Sequence, residues 1–259
     1  MGSNRLYQHC EDPILFDLIS AIEVAGCATI VAAVLTYSLS KSVEGRFRAA
    51  IVLAVWFAIV VILGATQALD PQHVGAPGLG AAAALPIVAL SIAFLAVRST
   101  REAMLATPLA ALVAVNALRV LLGASFVLLY LNGRLSAPFA PAAGWGDIFV
   151  GVTAGPLAFI VHRYGERANA LALVWNAIGF VDLIVAAGLG VASSPGPLQV
   201  FVAPPGSAIM IALPWIIITC FLVPSYQALH IAIFYRLSER ARAGRFWAGA
   251  ANAIIAASS

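Results

Sequence analysis

An ionised side chain costs at least a few kcal/mol at the centre of a bilayer, so a charge inside an apolar run is there for a partner or a ligand. Three such residues occur here: Glu23 in "ISAIEVAGC", Arg119 in "VNALRVLLG" and Asp182 in "GFVDLIVA". At about 1.5 Å per helical residue, each lies roughly 15–18 Å from the end of its run, near the middle of a core about 30 Å thick. Residues three, four and seven apart share one helical face. Ser20 and Cys27 therefore flank Glu23, Asn116 and Gly123 flank Arg119, and Trp175, Asn176 and Gly179 precede Asp182. Small-residue faces let helices approach closely. The three faces are expected to converge on one site that binds a substrate or ion through Glu23, Arg119 and Asp182, flanked by Asn116 and Asn176. With Asp17 and Asp147 added, four acids stand against one embedded arginine. Surplus carboxylate in a low dielectric takes up a proton or a cation. The plainer reading is that Arg119 neutralises one acid and the group only locks helices together.

His230 and Tyr226 lie one turn apart near the end of the last apolar run. A buried histidine is usually a satisfied hydrogen-bonding group; a proton relay through His230 and Tyr226 is the sharper alternative. In "GWGDIFVG", residues 144–151, Asp147 follows two glycines and precedes an apolar run, the place of an N-cap whose carboxylate accepts the free N–H groups of a first turn. Trp145 beside it suits an aromatic anchor at the outer interface. The pair is expected to act as a helix cap or outer gate. Gly151 and Gly155 form a GxxxG face, and Pro156 is expected to bend the helix. Cys10, Cys27 and Cys220 have no metal-ligand spacing, so no metal site or disulfide framework is implied;. No cofactor is expected. A haem between His162 and His230 is the one cofactor arrangement the histidines offer.

The elements that must position these residues follow from composition. The chain of 259 residues is 62% apolar and 10% charged, with mean hydropathy +0.99. Soluble domains have about 25% charged residues. Seven stretches reach the roughly 20 apolar residues of a spanning helix, at about 13–38, 49–69, 79–97, 104–131, 147–163, 169–192 and 207–235;. The expected fold is an all-α, polytopic, seven-helix transmembrane domain over residues 1–245, followed by a short interfacial segment, 246–259, with Phe246 and Trp247 beside an arginine cluster. Residues 193–206 read as an ordered surface loop. Lys41, Arg46, Arg48, Arg98, Arg101, Arg163, Arg167, Arg236, Arg240, Arg242 and Arg245 fall on one side of these runs, whereas Arg5 and Arg134 fall on the other. Positively charged loops stay cytoplasmic, so the N-terminus is expected outside and the C-terminus inside. The basic balance thus reports orientation, and nucleic acid is not an expected partner. The first ten residues lack the apolar core of a signal peptide;. Heavy alanine usage and thirteen arginines against one lysine hint at a GC-rich bacterial genome, and the expected location is the inner (plasma) membrane.

"GWGD" resembles the GxGD motif of intramembrane aspartyl proteases and prepilin peptidases, which would imply an aspartate pair sharing a proton. Here the candidate partner, Asp182, follows the motif instead of preceding it, and no PAL sequence is present. The outer position read for Asp147 also separates it in depth from Asp182. Seven spans with an outside N-terminus resemble the 3+1+3 plan of SWEET-type sugar transporters, without their PQ motif. "WNAIGFVDL" and "ALPWIIITCFLVPSYQALH" resemble uncharacterised bacterial polytopic membrane proteins and carry no function with them. A rhodopsin is excluded because the last run has no lysine for a Schiff base;. The leading expectation is a small transporter or permease, proton- or cation-coupled, whose partners are the lipid bilayer and a small molecule or ion. A non-catalytic accessory subunit or sensor, within a homo-oligomer or larger membrane complex, is the alternative. An intramembrane enzyme ranks last.

Overall fold

The computed structural model describes the backbone of residues 13–70 and 75–258 and the side chains of 14–70, 78 and 80–241. Among the described residues every regular element is helical: α1 (Pro13–Leu39), α2 (Val43–Ala65), α3 (Gly75–Ala96), α4 (Arg98–Ala106), α5 (Leu109–Ala114), α6 (Arg119–Leu131), α7 (Phe139–Tyr164), α8 (Asn169–Ala192), α9 (Trp215–Ile217) and α10 (Val223–Ser258). A 3-10 turn, Val115–Leu118, joins α5 to α6, and a π turn, Ile218–Leu222, joins α9 to α10.

Five stretches are long and apolar enough to cross a membrane, or six if α3 and α4, bent by 93°, form one. One of the five, Phe139–Ala192, folds back on itself at Gly165, whose φ of 56° turns the chain. Trp175 of α8 then donates to Thr153 of α7 at 2.9 Å, so α7 and α8 are antiparallel neighbours. Large apolar side chains such as Ile22, Val52, Ile62, Leu85, Phe159 and Val174 cover the outside of the helices. Soluble monomers rarely expose apolar surface on that scale.

Several helix limits differ from the sequence expectation. The sequence predicts the fourth apolar run from residue 104, but residues up to Ala106 belong to α4, and the break at Thr107 precedes Pro108, which disfavours helical backbone at the residue before it;. The fifth begins at Phe139 instead of 147. Its first turn contains Pro141, tolerated there because a first turn needs no N–H donor. Of the segment 246–259, residues through Ser258 continue α10. The side chains of Phe246 and Trp247 lie outside the described residues, as do His9, Cys10 and His73.

The hub is the last helical pair. Trp215, Ile216, Phe221, Leu222, Leu229 and Ile233 are buried all round α9, the π turn and α10. A helix apolar on every side belongs at the centre of a bundle, and α10 packs on α3 and α8 while the π turn touches α1 and α2. The π turn lies just upstream of Pro224, which has no N–H for the carbonyl four residues back;. At one end of the bundle arginines occupy helix C-terminal carbonyls: Arg46 donates to Ser40 O at 3.0 Å, Arg101 to Leu95 O at 2.7 Å, and Arg236 to Thr107 O. Basic side chains there satisfy orphan carbonyls and complement the negative helix ends. The loop from 193 to 207 is tied down by Ser207, whose hydroxyl donates to Gly190 O at 2.6 Å.

The densest helix contact is α6 on α7, and missing Cβ atoms permit it. A Cβ on Gly123 would meet Gly144 O at 2.5 Å, and one on Gly151 would meet Val120 N at 2.5 Å. The expected Gly151–Gly155 face is therefore half right: nothing lies within 4 Å of a Cβ on Gly155, and Gly144 takes its place. Gly123→Ala is expected to destabilise the protein by about 1–3 kcal/mol through overpacking, whereas Gly155→Ala on the open face is neutral or stabilises by up to about 1 kcal/mol. Thermal unfolding of both variants in detergent checks this; equal effects would contradict it.

Candidate functional site

The candidate site is built on α6, α7, α8 and α10. α8 turns Ala172, Trp175, Asn176, Gly179 and Leu183 inward, at intervals of one helical turn, with Asp182 beside them. α7 turns in Ala143, Gly144, Asp147, Val150 and Gly151 by the same periodicity. α6 begins with Arg119, directly after the 3-10 turn that holds Asn116.

Arg119 has no exposed surface. Its Nε donates to Asp147 Oδ1 at 2.6 Å, and its second terminal nitrogen pairs with Asp182 Oδ2. The first terminal nitrogen lies 3.3 Å from Gly179 O and 3.4 Å from His230 Nε2. Arginine has five N–H donors and no acceptor. If the contact to His230 is a hydrogen bond, Nε2 must therefore be the unprotonated nitrogen. Nδ1 then carries the proton and donates to Asn176 Oδ1 at 2.7 Å, while Asn176 Nδ2 donates back to His230 O at 3.0 Å. The tautomer is inferred from the network. His230 is thus a neutral bracket with both ring nitrogens engaged. The Tyr226 ring lies 5.9 Å from the Arg119 guanidinium carbon, and its hydroxyl has no hydrogen-bond partner among the described residues. Asn116 is fully buried and donates to Leu112 O at 3.0 Å, while its Oδ1 is likewise unpartnered.

Glycines make the room. A Cβ on Gly179 would lie 2.7 Å from His230 Cε1, and one on Gly146 would overlap the Asp182 carboxylate. The Trp175 and His230 rings are 5.8 Å apart. From "WNAIGFVDL", Gly179 and Asp182 therefore contact the guanidinium, while Trp175 and Asn176 hold His230 behind it.

Asp147 is not an N-cap: it is the ninth residue of α7, about 12 Å along the helix, and buried against Arg119;. Asp147 and Asp182 thus share one level, and the depth difference expected between them does not exist. Glu23 is not in the cluster; its carboxylate accepts from Ser125 Oγ at 3.1 Å. The register of α1 against α6 explains why. Asp17 pairs with Arg134 at 2.7 and 3.0 Å, and Glu23 pairs with Ser125. Continuing that antiparallel register sets Arg119 opposite about residue 30 of α1, two helical turns beyond Glu23. The partner of Asp17 also reduces the surplus of acids. Trp145 is 62% exposed on α7 and lines no gate to the cluster. His162 is exposed near the end of α7, away from the buried His230, so the two do not form a haem pair. Among the described residues no group of three or more His, Cys, Asp or Glu side chains is placed to hold a metal ion.

Residues 76–238 match the model of a domain of unknown function, DUF8737. The chain belongs to that family. The DUF8737 segment runs from α3 into α10 and contains Arg119, Asp147, Asp182, Asn176 and His230, whereas Glu23 and Asp17 lie outside it. No curated protein and no solved structure matches the chain.

Removing the partner of a buried charge is far more costly than removing an exposed pair. Arg119→Met is expected to destabilise the fold by about 3–5 kcal/mol, and Arg119→Lys to fall between it and the parent, because one ammonium cannot reproduce the planar fork. Thermal unfolding in detergent reads both; a Met variant as stable as the parent would remove Arg119 from the centre of the fold.

Proposed function

We propose that this DUF8737 protein is a small integral membrane transporter of the bacterial inner membrane, coupled to a proton or cation through Arg119, Asp147 and Asp182. In this reading seven helices span the bilayer, with the N-terminus outside and the C-terminus in the cytoplasm. The apolar exterior and the arginines gathered at one end of the bundle support that placement;.

The observation that carries the reading is one fully buried guanidinium between two carboxylates on different helices. One positive charge balances one negative charge, so the second carboxylate needs a proton or a cation whenever water is excluded. Asp182 is the exchanging group, because its side chain is 15% exposed against 9% for Asp147 and 0% for Arg119. Loading and unloading Asp182 makes or breaks the link between α6 and α8 while Arg119 stays on Asp147. A change in helix packing can follow from that switch. Arg119 itself has no exposed face for an anionic substrate, so its role is to set the carboxylates.

The complete enclosure of Arg119 also favours a second reading, in which the cluster only locks the helices of a sensor or accessory subunit. An aspartyl protease is disfavoured although the two aspartates share a level. A guanidinium bonded to both carboxylates occupies the place of the shared proton;.

Proteoliposomes containing a trapped pH dye, challenged with a panel of small organic cations, zwitterions and anions, distinguish these readings. The parent is expected to move protons with at least one compound, and Asp182→Asn to abolish the response while remaining folded. Equal proton movement in the parent and in Asp182→Asn, or none with any compound, contradicts the coupling role. For the orientation, a C-terminal green fluorescent protein fusion is expected to fluoresce in the cytoplasm; activity of a C-terminal alkaline phosphatase fusion would reverse it.

A further inference from the structure

A cavity of about 390 Å³ lies between α3, α7, α8 and the π turn, and Asp147 is the one charged side chain among its described lining residues. Its existence follows from two facing stripes of small residues. α3 presents Gly80, Ala83 and Ala84, and α8 presents Ala186, Ala187 and Gly190. Side chains of this size cannot fill the gap between helices that pack normally elsewhere. The volume falls within the roughly 300–1,000 Å³ of small-molecule sites. On α8 the cavity extends from about the level of Asp182 to Val191, nine residues or about 13 Å;. It is therefore elongated, apolar along its length, and acidic at its inner end.

The chemistry at that end is specific. Asp147 is 6% exposed and lines the cavity, and Arg119 engages its Oδ1. Oδ2 receives no hydrogen bond from any described residue. The cluster behind it holds two carboxylates to one guanidinium, so the cavity ends on a net negative site. The Phe126 and Phe139 rings, 5.6 Å apart, form part of the same wall, and aromatic faces attract cations;.

We propose that this cavity binds an amphipathic organic cation, a protonated amine whose apolar body lies between α3 and α8 and whose head group donates to Asp147 Oδ2. Resting on the transport reading, this names the substrate class; the cation then supplies the second positive charge that Asp147 and Asp182 together lack beside Arg119. An alcohol of the same shape would leave the carboxylate uncompensated, and an acid would add a third negative charge. A lipid acyl chain, the competing occupant, gains from the apolar walls alone and is indifferent to Asp147.

The test uses the full chain in phosphatidylcholine nanodiscs, with empty nanodiscs subtracted, and three radiolabelled probes of one shape: 4-phenylbutylamine, 4-phenylbutanol and 4-phenylbutyrate. The amine is expected to saturate at one site per protein with at least tenfold lower Kd than the other two. Asp147→Asn is expected to reduce the amine to the level of the alcohol. Ala187→Phe, which fills the cavity without touching the charge cluster, should abolish binding of the amine in a protein that still unfolds cooperatively. Equal affinity for amine and alcohol marks an apolar groove for lipid chains and overturns the proposal, as does an amine preference that survives Asp147→Asn. The head-group comparison on the parent protein needs no variant to fold. Amine preference without proton movement in proteoliposomes would sink the transport reading and leave this site standing; proton movement without amine preference would do the reverse.

Discussion

A guanidinium taken out of water must have its charge and its donors met, and Arg119 is the point at which this fold meets that demand. Two carboxylates, a backbone carbonyl and a histidine nitrogen converge on it from α7, α8 and α10. Each requirement propagates outward. Asp147 must face inward, so α7 has to extend a full eight residues before it. Gly179 must lack a side chain so that His230 can approach, and Gly146 must lack one so that Asp182 can. Asn176 fixes the imidazole that backs the guanidinium. A buried ion pair contributes little net stability compared with an apolar core, yet breaking one is expensive. The cluster therefore specifies how four helices fit together more than it adds to the stability of the bundle.

Much of this was legible in the sequence because apolar runs, and charges inside them, are strong signals. The all-helical architecture, the inward faces of α6 and α8, and the meeting of Arg119 with Asp182 follow from periodicity and residue counting. Asp147 was misplaced because "FAPAAGWG" reads as a loop: proline and glycines suggest a turn when the chain is viewed alone. In the fold Pro141 occupies a first turn, and Gly144 and Gly146 face α6 and Asp182, where any larger side chain would collide. Tertiary packing overrides local propensity there. Glu23 was misplaced for a different reason. Equal counts from helix ends place residues in one layer only if the ends are level, and the Asp17–Arg134 pair sets α1 in a different register.

The family match sharpens the distinction between centre and periphery. The matched segment, 76–238, contains the whole charge cluster, the bent α3–α4 pair and the π turn, while α1 and α2 stand outside it. α1 is tied through Asp17 to Arg134, just beyond the end of α6, and through Glu23 to Ser125 at the middle of α6. A 3-10 turn before Arg119 and a π turn before Tyr226 lie on the helices that carry the cluster. Such interruptions recur where helices hinge or carry sites. The cluster thus lies among helices that already depart from regular geometry.

The most direct measurement of the central claim is a set of double-mutant cycles on unfolding free energy in detergent, pairing Arg119→Met in turn with Asp147→Asn, Asp182→Asn and Glu23→Gln. Groups sharing one network couple by about 0.5–3 kcal/mol, whereas separated sites add. Arg119 is predicted to couple to both aspartates and to be additive with Glu23. Coupling to Glu23 with additivity toward Asp147 would contradict the account, returning Asp147 to the helix end and Glu23 to the centre.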